Sequence, residues 1–267
     1  VETLIVVIGP GRDDVRAEIL KVCPTAKIVV QEQRLGTAHA VLAARDEIDG
    51  RFDDLLILFA DTPLLRPETL NLLREPLSSG AAVVALGFDT ENPAGYGRIL
   101  TEDDRMSAIR EHKDATAAES DVTLCNSGLM ALDGKSAIGM IEAIENNNSQ
   151  REFYLTDIVE IARRKGLETL YRVADEQEVL GVNDRVQLSR AEAVLQRRLR
   201  NEAMLAGVTM TAPETVFLSV DTKFGRDVHV EPHVVFGRGV SVGDHVRVKA
   251  FSHFEGTKIG QNVEIGP

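Results

Sequence analysis

From Val230 onward an apolar residue falls at every sixth position: Val230, Phe236, Val242, Val248 and Phe254, then, after a one-residue slip, Ile259 and Ile265. Gly237, Gly243, Gly260 and Gly266 each follow one of these directly, while Val234, Val240, Val246 and Val263 stand four residues after one. A period of six with small residues beside apolar ones is the signature of a parallel β-helix, whose turns cannot bury their apolar faces alone and must stack. About two coils are legible, which is too few for stability without continuation or partners.

The first half carries a different pattern. Apolar strands near 4–8, 27–30 and 81–87 alternate with helical stretches at 13–22, from 36–37 to 44, and from Pro67 to about residue 77. Such alternation predicts βαβ units in a doubly wound, mostly parallel sheet with right-handed crossovers. Between them, the six apolar residues from Leu55 to Ala60 run into Asp61-Thr62-Pro63, as a strand buried on both faces does when it ends in a functional loop. Ligands of open α/β sheets bind beyond the carboxyl ends of the strands, so Asp61 is a candidate metal or phosphate-site ligand. Capping the helix near Pro67 is its other reading, and the stretch alone does not choose.

Charge removes several classes of function. With a formal charge of -12 and a pI near 5.0, the chain lacks the basic face that nucleic acid or an anionic membrane requires. A nucleotide can still bind through backbone amides and a metal. Cys23 and Cys125 are isolated within apolar runs, so both are expected to be buried small hydrophobes in a reducing compartment. No apolar run approaches the ~18 residues of a membrane span and no signal peptide is legible, so a cytoplasmic location is expected. The chain opens on Val1 and stops at Pro267 inside the hexad pattern, which suggests segments missing at both ends.

Several short motifs have two readings each. Gly36-Thr37, beside a helix N-terminus, would let a flat ligand approach free N–H groups, or Thr37 is a plain N-cap. Gly95-Tyr96-Gly97 brackets an aromatic with little side-chain bulk, as a wall against a sugar ring or an ordinary turn would. Glu111 stands at a strand end before a charged loop. Asn126 lies on a strand, where a buried amide needs a partner, either a bound hydroxyl or a backbone group. Thr156 or Asp157 is placed to cap a helix through 165, and Asn183 to cap a long helix from Val186 to about Leu205.

In order, Gln31 with Leu35-Gly36-Thr37, Asp61-Thr62-Pro63-Leu64, Gly95-Tyr96-Gly97-Arg98-Ile99, Glu111-His112-Lys113-Asp114-Ala115-Thr116, Asn126-Ser127-Gly128, Tyr154-Leu155-Thr156-Asp157 and Gly181-Val182-Asn183 closely resemble the bifunctional bacterial N-acetylglucosamine-1-phosphate uridyltransferase/glucosamine-1-phosphate acetyltransferase family. The resemblance runs from about Leu4 to Pro267 and implies a Rossmann-like α/β nucleotidyltransferase domain over 1–185, a linker helix over 186–206, and the start of a left-handed parallel β-helix over 207–267. It implies Mg²⁺-dependent transfer of uridylyl from UTP to N-acetylglucosamine 1-phosphate, giving UDP-N-acetylglucosamine and pyrophosphate for cell-wall and lipopolysaccharide precursors. Gln31 would read the uracil edge, with Gly36 and Thr37 beside it. Asp61 and Asn183 would hold Mg²⁺, with Phe59 and Ala60 in the same substrate loop. Gly97, Glu111 and Asn126 would contact the N-acetylglucosamine, and Thr156 would lie near its phosphate. One carboxylate and one amide suit a magnesium ion that keeps waters and phosphate oxygens. Phosphoryl transfer needs in-line positioning and charge neutralisation, and no protein nucleophile is expected.

The family's glycine-rich loop, with the Arg and Lys that grip the triphosphate, has no counterpart before Leu4, so the 267 residues alone are expected to be inactive. Acetyl-CoA and glucosamine 1-phosphate belong to later coils of a homotrimeric parent. Two alternatives accompany this reading: a nucleotidylyltransferase for another sugar 1-phosphate, and an inactive regulatory subunit of the same architecture.

Overall fold

A computed structural model describes residues 2–267, which divide into two compact units, one running through Leu180 and the other Gly181–Pro267. Among the described residues no helix is long and apolar enough to cross a membrane.

In the first unit, β1 (Ile5–Ile8) and β2 (Lys27–Val30) pair in parallel, joined through the helix Asp13–Val22. A six-stranded sheet follows: β3 (Asp54–Ile57), β4 (Val83–Asp89), β5 (Gly97–Glu102), β6 (Arg105–Arg110), β7 (Leu124–Asp133) and β8 (Thr169–Val173). Its pairing corrects the expectation of a mostly parallel sheet. Only β4 and β8 run in parallel; β4, β5 and β3 all lie antiparallel to β7, and β5 to β6. The cause is local, because the β5–β6 hairpin turns the chain back at Asp103-Asp104, both with positive φ, so the long β7 returns against its neighbours. β7 is the spine, pairing with β4 along one edge and with β5 and then β3 along the other.

β3 is shorter and less buried than its apolar run suggests. It ends at Ile57, all four residues are half-buried, and Leu58 and Phe59 are 42% and 37% exposed. Between β7 and β8 the chain forms a short helix, Ala137–Ile141. Cys125 is fully buried, as its setting implied, but Cys23 is only partly so.

In the second unit, the 21-residue helix Arg185–Leu205 leads into paired two-residue strands, each parallel to the one a coil earlier. Phe217–Leu218 pairs with Val235–Phe236, and that with His253–Phe254, an offset of 18 residues each time. Three full coils start at Thr209, and Glu264–Ile265 opens a fourth, so the periodicity undercounts them. The first coil is masked because the 3₁₀ turn Pro213–Thr215 lengthens it and breaks the hexad. Val230, Phe236, Val242 and Val248 form the buried column, with Val234, Val240 and Val246 beside them. Gln196, itself buried, closes the first coil: its Nε2 donates to the Leu218 carbonyl and its Oε1 accepts from the Leu218 N–H, both at 2.8 Å.

Candidate active site

Four of the expected substrate residues meet across one edge of the first unit's sheet. Gly97 opens β5 directly opposite Asn126 of β7. Arg98 opposes Arg110, the last residue of β6, so Glu111 follows on the other flank of Gly97. A Cβ added at Gly97 would lie 3.6 Å from that of Asn126, which places the amide on the face that glycine leaves open. Thr156 Oγ1 donates to Glu111 Oε1 at 3.0 Å and brings the 155–157 turn to the same point.

Asn126 is 92% buried, and its Oδ1 has no hydrogen-bond partner. A buried acceptor left bare costs free energy, about 1–3 kcal/mol, unless something supplies a donor. Neither a backbone group nor a side chain does so here. Burial raises the Glu111 carboxyl above the usual carboxylate range, Asp114 adds to the rise and the Thr156 hydroxyl opposes it. A ligand hydroxyl would serve both groups.

The Gln31 to Thr37 motif joins this cluster through backbone. Gly36 precedes the helix Thr37–Ala43 with φ 120°, and a Cβ there would sit 2.5 Å from the Phe153 carbonyl oxygen and 2.7 Å from its nitrogen. The close approach expected of a ligand is therefore made by the protein's own 153–155 segment. Ala38 N–H donates to Phe153 O at 3.0 Å, and Phe153 N–H to Leu35 O at 2.8 Å. Thr37 is not the N-cap; its hydroxyl accepts from Leu155 N–H at 2.9 Å, one residue from Thr156. Gln31 Nε2 donates to Gly36 O at 3.2 Å and lies 3.0 Å from His39 Nδ1, so its amide is already oriented.

The Phe59-Ala60-Asp61 turn arrives from the other side. Phe59 rests its ring on Gly128 of β7, where φ is 85° and any side chain would run into it. The Thr62 hydroxyl closes the turn by donating to Phe59 O at 2.9 Å. Asp61 is exposed, and no hydrogen bond or ion pair engages its carboxylate among the described residues. Asn183 belongs to the second unit. There Asp184, and not Asn183, caps the long helix, its carboxylate accepting from Gln187 N–H at 2.7 Å. Asn183 N–H donates to Gln187 Oε1 at 2.6 Å.

A cleft that the motifs did not single out lies next door. A cavity of about 500 Å³ adjoins Glu111 and is lined by Arg110, Asp114, Tyr154, Asp157 and Glu160 among others. Asp157 precedes the helix Ile158–Arg164 without a capping hydrogen bond, and its carboxyl is raised to about 6 by burial first and then by Glu160, with Arg110 opposing. Its place in Tyr154-Leu155-Thr156-Asp157 was the only available signal.

A MobA-like NTP transferase domain matches residues 1–120. The bifunctional protein GlmU of Xanthobacter autotrophicus is 60% identical over 98% of this chain and 58% of its own length. GlmU of Azorhizobium caulinodans is 58% identical over the same shares. Among solved structures, 4-diphosphocytidyl-2C-methyl-D-erythritol synthase from Anaerococcus prevotii gives a TM-score of 0.51 at 18% identity, covering 74% of this chain and 80% of that one. UDP-glucose pyrophosphorylase complexed with UDP-glucose gives 0.50 at 14% identity, covering 64% and 72%. At these identities the two structures bear on fold alone: the first unit has the nucleotidyltransferase architecture. The chain spans a little over half the length of the curated relatives it matches. Over nearly every residue it has, the chain is similar to the corresponding stretch of bifunctional GlmU proteins.

Proposed function

We propose that the first unit transfers uridylyl from UTP to N-acetylglucosamine 1-phosphate within a cytoplasmic, trimeric parent that also acetylates glucosamine 1-phosphate from acetyl-CoA. The observation carrying this reading is the contiguous path Gln31–Gly36–Phe153–Leu155–Thr156–Glu111–Gly97–Asn126–Gly128–Phe59, which ends two residues from Asp61. A nucleotide-side motif and a sugar-side motif so linked suit a reaction in which two phosphorylated substrates must be aligned. We take 1–185, 186–206 and 207–267 as the transferase, linker helix and β-helix.

In this reading Asn126 and Glu111 hold the sugar, whose hydroxyl satisfies the bare Asn126 Oδ1 and offsets the burial of Glu111. Gln31, oriented by its bond to Gly36, faces the base, and Thr37 fixes the 155–157 turn beneath the phosphate. Magnesium, when bound, supplies charge neutralisation at the phosphate oxygens. Asp61 suits it, since magnesium takes one or two protein carboxylates and keeps several waters. Accordingly the site needs no denser ligand cluster, and none of three or more His, Cys, Asp or Glu occurs among the described residues. Asn183 is the second proposed ligand, on the resemblance alone.

Asp61→Ala in the full-length protein should abolish magnesium-dependent pyrophosphate release from UTP and N-acetylglucosamine 1-phosphate. Near-normal turnover would remove Asp61 from the site, and preference for glucose 1-phosphate would overturn the substrate assignment.

A further inference from the structure

Arg98 heads the fully buried side chains of the molecule at 1% exposure, and no carboxylate pairs with it among the described residues. Its Nη1 donates to the Tyr96 carbonyl and its Nη2 to the Ser120 carbonyl at 3.2 Å, while Nε has no acceptor. Cys125 stands opposite in register, but burial pushes its thiol up, so it is neutral and offers no counter-charge. A guanidinium taken out of water without an anion is costly, and an apolar side chain would fill the same space more cheaply. What the cation does provide is a two-point grip on backbone.

Both grips flank the sugar-side residues. The Tyr96–Gly97 peptide is trans and planar, so fixing the Tyr96 carbonyl toward Arg98 turns the Gly97 N–H to the opposite side. Ser120 ends the short helix Ala117–Ser120, whose Glu119 accepts from Arg110 at 3.3 Å, next to Glu111. Arg98 and Arg110 are cross-strand neighbours, and together they tie that helix to β5, which carries Gly97, and to the adjoining β6. The Tyr96 ring adds a further constraint by standing edge-on against Phe88, with centroids 4.9 Å apart.

We propose that Arg98 is a positioning residue for the sugar 1-phosphate: it sets the orientation of the Gly97 peptide between Glu111 and Asn126 without touching substrate. This inference rests on the sugar-site reading above. A lysine at 98 keeps the charge and most of the volume, but a single ammonium lacks the planar fork that holds two carbonyls at once. A methionine keeps the packing and removes both grips.

The test varies each substrate separately in the full-length protein carrying Arg98→Lys, Arg98→Met or Asn126→Ala. Arg98→Lys should raise KM for N-acetylglucosamine 1-phosphate about 10-fold, and Arg98→Met more, with KM for UTP within about twofold of the parent. Asn126→Ala should raise the same sugar KM. An unchanged sugar KM in Asn126→Ala would overturn the sugar-site reading and this inference with it. A raised value there, with the Arg98 variants unchanged, would overturn the Arg98 inference alone. Equal rises for UTP and sugar, or failure of both Arg98 variants to fold, would make Arg98 a residue of general stability and likewise overturn it.

Discussion

The two units solve the burial of backbone and apolar side chains at different ranges. In the second, each strand meets the one about 18 residues earlier, so every coil repeats one local decision. In the first, the residues that form the candidate site lie between positions 31 and 156 and meet only because β7 gathers β3, β4 and β5 around itself. The repeat tolerates a slip, as between Phe254 and Ile259, by shortening the two strand offsets that span it from 18 residues to 17. The sheet has no such freedom, because a one-residue shift of β5 against β7 would carry Gly97 away from Asn126 and turn the amide to the other face.

The largest expected effect comes from the repeat. Phe236→Ala removes a ring packed edge-on against Phe224 at 5.2 Å and stacked with Phe254 at 5.7 Å. Loss of a buried phenyl in a core that cannot collapse costs about 3–5 kcal/mol. Hydrogen exchange should show lost protection in the coils and unchanged protection in β4 and β7. If both sets of amides open together, the units do not behave as separate stability elements.

A somewhat smaller loss is expected at the site's narrowest point. Gly36→Ala places a Cβ against the Phe153 backbone at a φ of 120°, which side-chain-bearing residues rarely adopt. Strain and overlap together should cost about 2–4 kcal/mol. Denaturant unfolding measures it, and exchange should loosen residues 35–38 and 153–157 together. Loosening of one segment without the other would contradict their mutual dependence.

The smallest effect is electrostatic and has a sign. The Asp157 carboxyl is raised from 3.8 to about 6, so folding favours its neutral form and the charged form weighs against the fold. That cost is absent below pH 3.8, grows as the pH rises toward 6, and is complete above it. Asp157→Asn should therefore stabilise the protein by about 1–2 kcal/mol at pH 8, allowing for solvent screening in the open cleft, and by almost nothing near pH 3.5. Unfolding midpoints at the two pH values check it; equal gains at both would point to packing instead.

The same contrast explains what could be read in advance. The hexad column was legible because burial there follows position number directly, from Val230 to Ile265. The order of motifs carried the nucleotidyltransferase fold, and the cluster of Gly97, Glu111, Asn126 and Thr156 follows it. Strand direction was not legible, since an apolar run such as Leu55 to Ala60 reads alike in parallel and antiparallel pairing. Nor was the true neighbour of Gly36, because a glycine reports that something comes close and not whether it is ligand or backbone. Arg98 stood inside a motif yet gave no sign of its burial, because a charged residue on a short strand is normally solvated.

Gln196 has a consequence for assembly. By presenting an amide donor and acceptor to Leu218, one side chain imitates a peptide unit of an adjoining strand. A row of open main-chain groups invites any passing extended segment, including another molecule's, and leads toward fibres. With Leu218 already answered, no further strand can pair on the Phe217–Leu218 edge of this face, and its pairing runs in one direction only, through Val235–Phe236 to His253–Phe254.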